Sequence, residues 1–394
     1  MTVLITHPGR QHSHRAALAL EDAGLLAAYW SGVPSSPEHF EGAPTWLRPR
    51  LRSYQSVRLP ADRTAWFPLT PARRRVGDSL LPRGLAAWND FAACRAFDRT
   101  VRRRLSTVTF RVVLACEISA RDTFRASRDR NLLRVLDAPS LHPAAQDRLH
   151  GTADSPRLHR AIRRVKDEEI ALADRILTVS QLARETYLEA GVPPEKVHAV
   201  PLGADLDLFQ PPATGRAAAA GRPVRFLFAG ATIERKGFDL LLAALDLTAQ
   251  RGGRFELRLV GPSTDDTWRR RAWASSAGSV DQAGLATEMQ RADLLVLPSR
   301  NDSYGMVVAE ALATGLPAVV STMVGAKDLI QEGVNGWVVP VEDVEALAAR
   351  LLECSRQPAL LSNLGAAARR SAESATWDGY SERLVGWFRE LLAA

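Results

Sequence analysis

The chain has 394 residues, 46% of them hydrophobic and 24% charged, which suits a globular protein of two or three domains. Its net charge of +7 favours anionic company, but no helix-turn-helix, zinc-finger or RNP pattern accompanies it, so nucleic acid is not an expected partner. Cys94, Cys116 and Cys354 show no paired spacing, and the eight histidines show no ligand cluster, with His12 and His14 diverging on a helix, so no metal site is expected from them.

The N-terminal MTVLITHPG lacks a basic region ahead of its short apolar run, so it reads as a first core strand and not a secretory signal. A cytoplasmic protein is expected. Short apolar runs recur at 2–6 (TVLIT), 111–115 (RVVLA), 132–137 (LLRVLD) and 174–180 (DRILTVS), each followed by turn residues and a helical pattern. That alternation predicts a parallel sheet with helices on its faces.

Between Arg48 and Arg130 lie 19 Arg against seven acidic residues, including Arg73 to Arg75 and Arg102 to Arg104. The excess suits peripheral contact with an anionic membrane at the inner face, or an acceptor carrying phosphate. The plainer reading is a solvated surface in an arginine-favouring chain, since four of 51 basic residues are Lys.

After Phe209, QPPATGRAAAAGRP reads as a linker, and the strand pattern restarts with VRFLFAG at 224–230, FELRLVG at 255–261, DLLVLPS at 293–299 and PAVVS at 317–321. The expected division is therefore 1–205, a linker over 206–222, 223–375, and a C-terminal helix over 376–394. Two doubly wound Rossmann-like α/β domains facing across a cleft would bind ligands at the carboxyl ends of their strands. The run Met306 to Ala326 is long and apolar, but Glu310, Gly315 and Pro317 interrupt it where a membrane span would resist them. In the last stretch Trp377, Tyr380, Leu384, Trp387, Phe388 and Leu391 share one helical face, which predicts docking on the body of the protein.

Two loops of the second series suit a nucleotide. In ATIERKGFDLLLAAL, Arg235 and Lys236 stand just ahead of a helix, where two cations beside a positive helix end would hold a diphosphate. In PSRNDSYGMVVAEALATG, Asp302 or Ser303 is the expected cap, and Tyr304, Gly305, Met306 and Val307 would present free N–H groups. Glu310 is the one carboxylate in an otherwise apolar helix. Its partner should be a structural cation, a backbone donor or the hydroxyls of a ligand.

PSRNDSYGMVVAEALATGLPAVVS resembles the signature of glycosyltransferase family 4, retaining enzymes of the GT-B fold, usually P-S-x-x-E-G-F-G-x-x-x-x-E-A-x-A-x-G-x-P-V. EEIALADRILTVSQLARETYLEAGVPPEKVHAVPLGADLDLF, FAGATIERKGFDLLLAAL and VGAKDLIQEGVNGWVVP resemble other family segments in the family's order, strongly from about Glu168 to Val341. The resemblance implies transfer of a sugar from a nucleoside diphosphate sugar, UDP- or GDP-linked, to a glycan or lipid-linked acceptor in cell-envelope or exopolysaccharide synthesis, without a cofactor. It assigns Glu310 to the donor ribose and Lys236 to the diphosphate, which the amides after Asp302 would share. Gly278, Ser279 and Val280 match the strand end that holds the base, and Gly9 the loop near the donor phosphate.

Three departures stand out. Ala231 replaces a phosphate-binding Arg, with Arg235 as its substitute; Asp302 replaces a Glu that reaches the transferred sugar; and the first-domain histidine near that sugar is best matched by His142. Leaving-group departure would be stabilised electrostatically by Lys236, Arg235 and the helix N-terminus. Asp205-Leu206-Asp207 offers a D-x-D metal motif, but it coincides with a family loop and is read as structural or donor-proximal, with no metal requirement. The alternatives are a catalytically inactive GT-B subunit, another GT-B enzyme such as a sugar-nucleotide 2-epimerase, and a dinucleotide oxidoreductase. The last would need a G-x-G-x-x-G that neither THPGRQHS nor FAGATIERKG supplies.

Overall fold

The first apolar run folds as β1 (Val3–His7), with all five residues buried. Such a strand needs no polar alternation, because a central strand of a parallel sheet is covered on both faces. It is joined by β2 (Leu26–Ser31), β3 (Thr64–Trp66), β4 (Val112–Cys116), β5 (Leu133–Ala138), β6 (Arg175–Thr178) and β7 (Val197–Ala199) in the order β3-β2-β1-β4-β5-β6-β7, every pairing parallel. Leu4, Trp30, Phe97, Val113, Phe124 and Leu136 belong to one core cluster. The computed structural model describes residues 2–42, 45, 48, 59–68, 81–150, 155–213 and 221–393. Arg73 to Arg75 and part of the linker, 214–220, lie outside the described residues.

The second sheet comprises β8 (Val224–Ala229), β9 (Phe255–Val260), β10 (Ala274–Ser276), β11 (Leu294–Leu297), β12 (Ala318–Ser321) and β13 (Gly336–Val339). Their order is β10-β9-β8-β11-β12-β13, again with every pairing parallel. Both sheets are doubly wound: order runs outward from the first strand in one direction and then reverses, leaving a switch point between β1 and β4 and another between β8 and β11. Loops at the carboxyl end of such a point diverge and leave room for a ligand.

The chain divides into two units. One is Met1–Thr178 with Arg184–Val200 and Ser381–Ala394, the other Val179–Ala183 with Pro201–Tyr380. The first part of the expected linker is ordered: Phe209 is buried and its carbonyl accepts from Arg369 at 2.8 Å. In the Trp377–Ala393 helix Tyr380, Leu384, Trp387 and Phe388 are buried, and the Trp387 ring stacks on His198 of β7 at 4.9 Å. Part of the arginine excess is internal: Arg95 is buried between Asp98 and Asp122, each at 2.7 Å. No helix among the described residues is long and apolar enough to cross a membrane.

Candidate functional site

The switch point of the second sheet is built by the loops after β8 and β11. The loop after β8 leads through a short turn, Glu234–Lys236, into the helix Phe238–Gln250. Gly237 joins them with φ +67°, and a Cβ there would stand 2.0 Å from the Pro298 carbonyl oxygen, so only glycine lets the two loops meet this closely. The contact brings the end of the Glu234–Lys236 turn beside the residues after β11. Lys236 Nζ donates to Asp302 Oδ2, Arg235 donates to the Asn301 carbonyl at 2.9 Å, and Arg300 grips Asp239 with two bonds of 2.7 Å.

Asp302 is therefore not the helix cap expected from sequence, and neither is Ser303. The helix Met306–Ala313 starts from Gly305, whose φ of +87° places the N-cap in the left-handed region and which has no side chain to make a capping bond. Asp302 is held elsewhere: its N–H donates to Met323 and its carbonyl accepts from Gly325, a bridge that fixes the loop against β12's exit. The Tyr304 side chain is buried and its hydroxyl donates to the Leu202 carbonyl, so it anchors the loop. Among the described residues the N–H groups of Gly305, Met306 and Val307 carry no hydrogen bond, which leaves a positive helix end with three unused donors.

Glu310 lies one turn into that helix, 7% exposed among Val307 to Ala313. Burial pushes its carboxyl from 4.5 up to about 7. Among the described residues no cation and no N–H or O–H group bonds the carboxylate, so neither a structural cation nor a backbone donor explains it. At the other side of the switch point, the ends of β8, β9 and β10 are stitched by glycines: Gly230 N–H donates to Val260 and Gly261 N–H to Gly278, both at 2.8 Å. Ser279 and Val280 follow as an exposed rim before Asp281 caps the helix Gln282–Arg291. Asp205 accepts from the amides of Asp207 and Leu208 at 3.2 and 3.1 Å, a local turn.

Residues 223–357 match the family described as glycosyl transferases group 1. This segment is a glycosyl transferases group 1 domain. The group 1 domain holds all the residues just described except Leu202 and the Asp205 turn. The chain is similar to the amylovoran biosynthesis glycosyltransferase AmsK of Erwinia amylovora, 30% identical over 57% of this chain and 58% of that one. It is also similar to a D-inositol 3-phosphate glycosyltransferase of Streptomyces bingchenggensis, 31% identical over 65% of this chain and 63% of that one. The chain thus spans less than two thirds of the length of these relatives. Among solved structures, a sucrose-phosphate synthase from Thermosynechococcus elongatus matches with a TM-score of 0.74 at 20% identity, covering 100% of this chain and 99% of that one. Anabaena HepE in complex with UDP-glucose matches with a TM-score of 0.65 at 16% identity, covering 99% of this chain and 100% of that one. The architecture, two Rossmann-like domains with parallel sheets, is that of GT-B glycosyltransferases.

The group 1 domain thus brings Lys236, Arg235, Asp302, Ser303 and Gly305 to Glu310 onto two touching loops, with Gly278 to Val280 on the same carboxyl edge. Gly9 and His142 belong to the first unit. Gly9 N–H donates to His7 Nδ1 at 2.9 Å. His142 is buried, its Nδ1 accepts from the Ala144 amide at 3.2 Å, its ring meets Tyr187 edge-on at 5.0 Å, and burial pushes it down to about 4. At the start of the Pro143–His150 helix the His142 carbonyl also accepts from the Ala145 and Gln146 amides at 2.9 and 3.1 Å.

One grouping escaped the sequence reading, which found no ligand cluster among histidines and cysteines. A ring nitrogen of His7, the Cys116 sulfur and an Asp137 carboxylate oxygen lie within 4.8 Å of one another. Register is the reason. Cys116 pairs with Asp137 across β4 and β5, and Thr6 with Ala115 across β1 and β4, so the next residues, His7 and Cys116, stand level. Residues level on adjacent strands point to the same face, and chain spacing carries no trace of it. His12 Nε2 then meets Asp137 Oδ1 at 2.9 Å from the loop above. Beyond Cys116 the chain takes a strained step at Ile118, φ +69°, held by Glu169 accepting from the Ile118 and Ala120 amides at 2.7 and 2.8 Å.

Proposed function

We propose that the protein is a retaining glycosyltransferase that moves a sugar from a nucleoside diphosphate sugar to a glycan or lipid-linked acceptor, in cell-envelope or exopolysaccharide synthesis. The observation that carries this reading is Glu310: a buried carboxylate without a protein partner, one turn beyond three unused helix amides. Burying such a group is costly unless something outside the chain completes it, and a vicinal diol supplies two O–H donors at that distance from a phosphate.

In this reading the donor diphosphate binds at the amides of Gly305 to Val307 and draws Lys236 away from Asp302. The freed Asp302 then turns to the hydroxyls of the transferred sugar. Arg235, exposed and using one nitrogen on Asn301, offers its remaining donors in place of the arginine absent at Ala231. As the bond from the anomeric carbon to the diphosphate oxygen breaks, Lys236 and the helix end stabilise the growing charge. The acceptor oxygen bonds to the same face of that carbon, and its proton passes to the departing diphosphate. The Gly278 to Val280 rim takes the base through backbone groups.

UDP- and GDP-sugars are the first donors to test, UDP foremost because the HepE structures hold UDP and UDP-glucose. The site is read as cytoplasmic, with the arginine-rich first domain toward an anionic membrane surface or a phosphate-bearing acceptor. Incubation with UDP-, GDP- and ADP-sugars and envelope extracts should release nucleoside diphosphate and yield a glycoside with the donor's anomeric configuration. Tight nucleotide binding with no release under any acceptor would instead favour a non-catalytic subunit, the reading to which Ala231 and Asp302 lend support.

A further inference from the structure

We propose that His7, Cys116 and Asp137 form a binding site for a thiophilic divalent cation, zinc in the first instance, at the switch point of the first sheet. The three residues are 3%, 6% and 3% exposed, and their donor atoms lie within 4.8 Å of one another. His7 Nε2 is buried without a hydrogen-bond partner, and one His7 ring nitrogen lies within 4.8 Å of the sulfur and of a carboxylate oxygen. Nitrogen, sulfur and oxygen together suit zinc, whereas magnesium and calcium take oxygen sets.

The dimensions fit a small ion and little else. Donor atoms around tetrahedral zinc stand about 3.3–3.7 Å apart, so the widest pair here must close by about 1 Å. His12, at 2.9 Å from Asp137 Oδ1, orients the carboxylate and leaves its second oxygen for the ion, as supporting residues around metal sites do. Coordination turns the Cys116 thiol into a thiolate and releases its proton. Taken through the unpartnered Nε2, it also requires His7 to carry its ring proton on Nδ1, which ends the bond from Gly9 N–H and makes that glycine peptide turn. Occupancy is therefore coupled to the loop after β1. The fourth position falls to water.

The site uses none of the residues of the group 1 domain and stands or falls apart from the donor reading. The test uses the full chain, stripped with chelator and titrated with cobalt(II), which reports coordination by its colour. About one equivalent should bind, with thiolate-to-cobalt charge transfer in the near ultraviolet and the visible bands of tetrahedral cobalt, and zinc should bleach both. Cys116→Ser should lose the charge-transfer band and bind zinc at least about tenfold more weakly, while Cys94→Ser keeps both. His7→Gln gives a second reading should Cys116→Ser fail to fold, with circular dichroism as the check on folding. No cobalt bound, or a band that persists in Cys116→Ser or in His7→Gln, overturns the proposal.

Discussion

Lys236 and Asp302, 66 residues apart in the chain, are joined by an ion pair, with Lys236 Nζ donating to Asp302 Oδ2. Both are partly buried at the switch point of the second sheet. The pair ties the loop after β8 to the loop after β11. Under the proposed function, a donor diphosphate would compete with Asp302 for that lysine. Asp302→Asn should therefore leave nucleoside diphosphate affinity equal or stronger while cutting transfer at least about tenfold, some 1.4 kcal/mol. Steady-state rates with product-inhibition constants separate the two, and an Asn variant of full activity would remove Asp302 from the sugar site.

If Lys236 meets charge that grows as the leaving group departs, as the proposed function has it, Lys236→Ala should lower turnover more than it weakens nucleoside diphosphate binding. Equal losses in kcat and in binding would reduce it to a ground-state contact.

Glu310 sets a pH dependence. Its carboxyl is raised by burial to about 7, so its contribution to ligand-free stability is full below about pH 4.5 and is lost as pH rises through 7. Glu310→Gln should flatten that part of the profile and be relatively more stable at pH 8. Ribose hydroxyls favour the ionised form, so donor affinity should rise between pH 6 and pH 8 in the wild type and not in Glu310→Gln. Calorimetry across that range reads both.

Much of this was legible in the sequence. The eight runs quoted from it all became strands: β1, β4, β11 and β12 are buried throughout, while β5, β8 and β9 carry a charged residue near their start and are buried toward their carboxyl ends. β3, β7 and β10, three residues each, are too short to write a pattern of their own. In the loop and helix at 298–315 the sequence singled out Glu310 as the one carboxylate in an apolar helix, and it is buried there without a bonded partner among the described residues. The cap was misread because sequence favours Asp302, while the turn that the loop adopts needs the left-handed backbone that Gly305 allows. The His7, Cys116 and Asp137 row was invisible for a different reason, since it exists only in the register between strands far apart in the chain.

Gly305 gives a stability test of that correction. A Cβ there would meet Val324 Cγ1 at 2.7 Å, on a backbone of φ +87°. Gly305→Ala should cost about 1–3 kcal/mol in denaturant unfolding and weaken nucleotide binding as well, because the three amides lose their aim. Ser303→Ala should do neither if Gly305 and not Ser303 starts the helix.

The most direct test is donor binding at Glu310. UDP-, GDP- and ADP-sugars titrated against the wild type and Glu310→Ala, followed by thermal unfolding and calorimetry, should yield at least one donor that stabilises the wild type by about 2.7 kcal/mol at 100 times its dissociation constant. Glu310→Ala should fold as well as the wild type and bind that donor at least about tenfold more weakly, the loss of about 1.4 kcal/mol. A wild type that no nucleoside diphosphate sugar stabilises, or a folded Glu310→Ala that binds the donor undiminished, would contradict the account.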